Sequence, residues 1–119
     1  MNYIYFNSRD ELIRLKVTDI AYFEGDGNYT NIVAVNNLHT AICMQLGEME
    51  KSLARQLGEN AYVFIRLGKR YIVNHEYIYH VNIPKQLLML SDFGHFAVKL
   101  SVSKEALKKL KELMIANRA

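Results

Sequence analysis

Apolar and polar residues alternate along most of this 119-residue chain. In Glu11–Val17, Ile13, Leu15 and Val17 fall on one face and Leu12, Arg14 and Lys16 on the other, the period of a half-buried strand. Tyr77–Ile83 sets Tyr77, Tyr79, Val81 and Ile83 against Ile78, His80 and Asn82. His95–Leu100 sets Phe96, Val98 and Leu100 against His95, Ala97 and Lys99. Asp19–Glu24, Tyr29–Val35, Leu38–Met44, Tyr62–Arg66, Tyr71–Val73 and Lys85–Leu90 are further strand candidates, rich in Ile, Val, Tyr and Phe. Gly25-Asp26-Gly27-Asn28, Asn36-Asn37 and Asp92-Phe93-Gly94 punctuate them as turns, and Pro84 sits between two strands, where its missing N–H does no harm.

Two segments change to helical period. Leu46, Met49, Leu53 and Leu57 make one apolar stripe, with Gly58 where a C-terminal cap belongs. In Lys104–Ala116 the stripe is Leu107, Leu110, Leu113 and Met114, with Ser103 as N-cap and Glu105 in the first turn, where the helix dipole favours it. The pattern predicts a mainly β fold: about ten short strands in stacked antiparallel sheets, with one internal and one C-terminal helix. Residues 1–119 are read as a single domain.

Composition narrows the class. The lone cysteine, Cys43, has no internal partner, which fits a reducing compartment, and its setting Ala-Ile-Cys-Met reads as a small buried side chain. No apolar run approaches the roughly 20 residues of a membrane-spanning helix. The first residues lack the basic and apolar regions of a signal peptide, so a cytoplasmic protein is expected. Charge is uneven: residues 1–60 hold 5 Lys/Arg against 8 Asp/Glu, and residues 61–119 hold 10 against 4. The basic half fits an anionic partner; it also fits a solvated lysine face.

Catalytic constellations do not emerge. His39, His75, His80 and His95 stand apart, and His75-Glu76 lacks the second histidine one helical turn on that a zinc-protease motif needs. Gly25-Asp26-Gly27 is followed by a strand pattern, so no helix N-terminus stands ready for a phosphate. No enzyme activity, metal site or cofactor is expected.

The distinctive segment is Phe64-Ile65-Arg66-Leu67-Gly68-Lys69-Arg70-Tyr71-Ile72-Val73-Asn74. Two apolar strand pieces flank a turn that carries Lys69 and Arg70, with Arg66 just before it and no acid close in sequence. Arginine can fork to guanine or phosphate, and lysine supplies a point charge.

This segment resembles the central motif of LytTR DNA-binding domains, a run of the type Phe-x-Arg-(apolar)-His-(Arg/Lys/Asn)-Ser-(aromatic)-(Ile/Val)-Val-Asn. Phe64, Arg66, Leu67, Lys69, Tyr71, Ile72, Val73 and Asn74 match it; Gly68 replaces the usual histidine and Arg70 the usual serine. Asp19-Ile20-Ala21-Tyr22-Phe23-Glu24 with Asn28-Tyr29-Thr30 is similar to the family's opening strand, loop and second strand. Gly47–Leu57 matches the internal helix, and Leu100-Ser101-Val102-Ser103-Lys104 matches the start of the last helix.

The resemblance implies a bacterial transcription regulator that meets double-stranded DNA through loops entering successive major grooves. Two copies would occupy a direct repeat, each alone a monomer or weak homodimer. The implied contact loops are Gly25–Thr30, Gly68–Arg70 and Ser101–Glu105, and the implied DNA-binding residues are Asn28, Thr30, Arg66, Lys69, Arg70 and Lys104. Lys69 holds a family contact position and is expected to read a base edge; Arg70, at the serine position, is expected to hold phosphate. For Arg66, on a strand, a structural or phosphate-bonding role fits as well as base readout. Two rival readings are a β-rich protein-interaction module and a single-stranded nucleic-acid binder, the second of which would expose aromatics on a basic sheet face. Because several of the eight tyrosines alternate in phase with core aliphatics, most are expected to be buried.

Overall fold

A computed structural model describes residues 2–118; the outermost residues of the expected domain, Met1 and Ala119, lie outside it. In chain order the elements are β1 (Tyr3–Asn7), β2 (Leu12–Lys16), β3 (Ile20–Asp26), β4 (Tyr29–Ala34), β5 (His39–Ile42), α1 (Leu46–Leu57), β6 (Phe64–Leu67), β7 (Tyr71–Asn74), β8 (Ile78–Asn82), β9 (Leu87–Ser91), β10 (Ala97–Ser101) and α2 (Lys104–Ala116). The strand pairings are antiparallel. They build a β1–β2 ribbon, a five-stranded sheet in the order β5-β4-β3-β7-β6, and a three-stranded sheet in the order β10-β9-β8. The mainly β fold class holds, and both helices occupy the segments that their apolar spacing marked.

The five-stranded sheet is covered on both faces. Phe23, Ile32 and Ile72 point to one side, where they pack with Ile4, Val17 and Ile20 and with Leu46, Met49, Leu53 and Leu57 of α1. Tyr22, Val33, Leu67, Tyr71 and Val73 point to the other, against Leu88, Leu90, Phe96 and Leu100 and against Leu107 and Leu110 of α2. Burying one such aliphatic side chain is worth about 1.5–3 kcal/mol. Central β3 is apolar at four successive positions, Ile20 to Phe23, because both of its faces meet a layer. Gly58, at φ +55°, closes α1 with its N–H on the Ala54 carbonyl. The Ser103 hydroxyl accepts the Ala106 N–H at 3.2 Å and opens α2.

Several local expectations need correction. β1 was not among the marked strands: in Tyr3-Ile4-Tyr5-Phe6 every residue is apolar or aromatic, so no alternation betrays it. β6 starts later than Tyr62, because Gly58–Val63 forms 3-10 turns that leave Tyr62 exposed. A register shift between Ile78 and His80 turns Tyr79 outward and keeps Ile78 against the core. Tyr5, Tyr29, Tyr62 and Tyr79 are exposed, so half of the tyrosines, and not a minority, meet solvent. Cys43 is exposed as well: Ile42 and Met44 turn inward, and the residue between them faces out. Leu113 is also exposed, at 44 %, whereas Met114 next to it stays against the core.

Candidate nucleic-acid interface

Two hairpin turns stand side by side at one end of the five-stranded sheet. β3 and β4 are joined by the two-residue turn Gly27-Asn28, with Asp26 opposite Tyr29. β6 and β7 are joined by Gly68-Lys69-Arg70, with Leu67 opposite Tyr71. Because β3 pairs with β7 through Glu24 and Tyr71, the ladder continues one step into the turns: the Gly25 N–H donates to the Arg70 carbonyl at 2.8 Å. A β-carbon on Gly25 would lie 3.2 Å from Cβ of Leu46, so glycine allows this turn to seat against the start of α1. Gly68 has φ +60°, the left-handed conformation that turns the chain back, and nothing lies within 4 Å of where its β-carbon would be.

The third expected loop borders the same surface. A groove lined by Arg66, Gly68, Ser103, Glu105 and Lys109 separates the β6–β7 turn from the first turns of α2. The β9–β10 hairpin lies at the other end of its sheet, because Ser91 pairs with Ala97 while Leu87 pairs with Ser101. Its exposed Phe93 stacks edge-on with Tyr79 at 5.5 Å, away from the turns. The exposed tyrosines Tyr5, Tyr29, Tyr62 and Tyr79 sit on four separate elements.

The six expected contact residues divide by what already holds them. Lys69 is exposed and has no hydrogen-bond or ion-pair partner among the described residues, and Lys104, at the first position of α2, is likewise free. Asn28 is exposed and accepts the Gln45 side-chain N–H at 3.3 Å. Arg66 is half-buried: its Nε donates to the Gly68 carbonyl at 2.8 Å and its Nη1 to Glu50 Oε1 at 2.9 Å. It therefore braces the turn from behind. Arg70 donates from Nε and Nη2 to Oε2 of Glu24, at 2.9 and 2.6 Å, with its guanidinium 5.3 Å from the centre of the Tyr71 ring.

Thr30 is the correction. Its side chain is 0 % exposed, and its hydroxyl donates to the Met44 carbonyl at 2.7 Å. It offers DNA neither surface nor a free donor and instead pins β4 to the chain leaving β5.

The fold also changes the local charge balance. No acid is near Arg66 or Arg70 in sequence, yet Glu50 and Glu24 reach them from 16 and 46 residues away. Glu24 is 26 % exposed and Arg70 62 %, so the pair is anchored at the acid and open at the base. The hydrogen bond to Glu24 holds Arg70 above the ordinary arginine pKa. Burial first, and the Glu24 charge second, push the phenols of Tyr22 and Tyr71 upward. Sequence reading gave no role to Glu24, Gln45 or Glu50; only Glu24 carried a signal, its place in the opening-strand pattern.

Known proteins share the family pattern and the fold of this chain. The family model for the LytTr DNA-binding domain matches residues 10–115. Among solved structures, the LytTr DNA-binding domain of a Bacillus cereus response regulator is similar, at TM-score 0.65 and 21 % identity, covering 96 % of this chain and 97 % of that one. No match is found among curated protein sequences. With the family pattern spanning both turns, both helices and every strand but the first, this chain belongs to the LytTR DNA-binding domain family.

Proposed function

We propose that this chain acts as one domain that binds double-stranded DNA sequence-specifically, as the reading head of a bacterial transcription regulator in the cytoplasm. The β3–β4 turn, the β6–β7 turn and the start of α2 enter the major groove, with Asn28, Lys69, Arg70 and Lys104 facing DNA. Arg66 supports the central turn from behind. The observation that carries this reading is the joining of the two turns through Gly25 and Arg70, beside free cations at Lys69 and Lys104. Free cations supply phosphate contacts that set register, and short polar side chains on a braced turn supply base contacts. Two copies bind a direct repeat, its half-sites about one helical turn, roughly 10 base pairs, apart.

Selection from random duplex DNA tests this, followed by mobility shifts with the selected duplex, its single strands and the matching RNA. A repeated motif bound only as duplex is expected, with joint occupancy weakened when one half-site moves by half a turn. Equal binding to single strands, or no enrichment, would overturn specific duplex recognition. Saturation of the best site by one molecule would overturn the direct repeat.

A further inference from the structure

We propose that Glu24 is a positioning residue for base readout: it holds the Arg70 guanidinium by one edge so that the opposite edge reads guanine in the major groove. This rests on the duplex-DNA reading above and exchanges the roles expected for Lys69 and Arg70.

The first argument is the use of donors. A guanidinium carries five N–H groups. Nε and one hydrogen of Nη2 are spent on a single oxygen, Oε2 of Glu24. Both hydrogens of Nη1 and the second of Nη2 remain, and the Nη1/Nη2 edge is the end of the fork, directed away from the carboxylate. Guanine presents N7 and O6 side by side in the major groove, two acceptors that suit such an edge. Adenine presents a donor in place of O6, so the same edge rejects it.

The second argument is restraint. Arg70 is fixed at its main chain, where its carbonyl accepts the Gly25 N–H, and again at its head, by Glu24 and the Tyr71 ring. A base reader must be placed accurately and gains when its rotamers are settled before binding. A phosphate contact needs neither. The ion pair is also too exposed to contribute much to stability. Its geometric effect is the larger one.

The third argument is charge. Phosphate contacts reward net positive charge through counterion release. Glu24 cancels Arg70, whereas Lys69 next to it has no acid partner among the described residues. Lys69 is the phosphate contact of the central turn, and Arg70 is its reader.

The test uses the full chain and the best duplex from selection. Affinities are measured for that duplex, for versions with each guanine changed to adenine or 7-deazaguanine, and for an unrelated duplex. The proteins are wild type, Arg70→Ala, Arg70→Lys, Glu24→Gln and Lys69→Ala, each checked by thermal melting. One guanine is expected at which wild type loses about 5- to 150-fold on change to adenine and a smaller part of that on loss of N7. Arg70→Ala and Arg70→Lys should both be indifferent at that guanine, since lysine keeps the charge and lacks the fork. Glu24→Gln should keep its melting temperature and lose most of the preference, while binding unrelated DNA as well as wild type or better. Lys69→Ala should keep the preference and make the salt dependence shallower.

If Glu24→Gln tightens every duplex alike with the guanine preference intact, Glu24 is only a repulsive charge and the inference falls. If Arg70→Ala weakens all duplexes alike, Arg70 is a phosphate contact and the inference falls. Selective binding by wild type with no guanine that depends on Arg70 overturns the inference and leaves the duplex reading standing. Failure of wild type to bind any duplex overturns both.

Discussion

The side-chain amide of Asn74 donates to the main-chain carbonyl of Ile20 at 2.8 Å, joining the end of β7 to the start of β3. Its oxygen accepts the Glu76 N–H at 3.0 Å, and the residue is 1 % exposed. The asparagine that ends the central motif is thus a fastener of the sheet that carries the turns. Asn74→Leu keeps the branching at Cγ, adds bulk, and strands a buried carbonyl and an N–H, at a cost of about 2–4 kcal/mol. Urea unfolding should show a lower midpoint with unchanged slope. Operator affinity in the folded fraction should be unaltered.

Thr30 gives the parallel case on the other side of the site. Thr30→Val removes the donor to the Met44 carbonyl while keeping the shape, and should cost about 1–2 kcal/mol of stability. Titration against the selected duplex should give the wild-type affinity. A tenfold loss at unchanged fold would mean that Thr30 reaches DNA after all.

Salt dependence should be moderate. Arg66 and Arg70 already hold carboxylates; around the two turns and the start of α2, Lys69, Lys104 and, in the groove, Lys109 are cations without an acid partner among the described residues. For about three phosphates per molecule, the logarithm of the association constant should fall with the logarithm of salt at a slope of roughly −3. Lys69→Ala should bring it to roughly −2. A slope near zero would remove phosphate from the interface.

Gly68 stands where the family pattern usually has histidine. The position is left-handed, a region in which histidine is enriched among non-glycine residues, and the space around it is open. Gly68→His should therefore fold, at a cost of about 1 kcal/mol for the strained backbone. If its ring reaches DNA, affinity should rise by about 2- to 10-fold, the worth of one added hydrogen bond. A melting curve and a duplex titration on one preparation check both parts; an unfolded variant would mean that the turn is more crowded than its geometry indicates.

Asp92 holds the distant β9–β10 hairpin through Oδ1, which accepts the N–H groups of Gly94 and Phe96. Those bonds hold its carboxyl below the ordinary aspartate pKa. A depressed carboxylate stabilises the fold at pH values above its unfolded pKa, and that contribution is lost as pH falls through the folded one. In an NMR titration the Asp92 carboxyl should reach its midpoint below the ordinary aspartate value. Amide protection at Gly94 and Phe96 should fade over that same acidic range and not above it.

What could be read from the sequence was what local period encodes. Leu46, Met49, Leu53 and Leu57 with Gly58 set α1, and Ser103 with Leu107 and Leu110 set α2, because a helix is written in neighbours three and four apart. The site was legible only as positions. Lys69 and Arg70 were correctly placed on an exposed turn, but their difference arises from Glu24, 46 residues away, and no window on the chain contains both. Tyr79 escaped for a related reason: a one-residue shift in the pairing of β8 reverses its face, and nothing in Tyr77–Ile83 announces the shift. Thr30 matched the family pattern as faithfully as any contact residue, and only its burial shows that a match in a motif can mark packing.

The bond from Gly25 to Arg70 has a practical side for anyone who would retarget this domain to another operator. A library confined to residues 68–70 varies one turn while the other, and its carboxylate at position 24, stays fixed. Most replacements of Arg70 would leave Glu24 unpaired on the surface proposed to face DNA, where a lone negative charge would work against every DNA sequence equally. Varying positions 24 and 70 together removes that common handicap, so new preferences can emerge from a library of two positions in two distant segments.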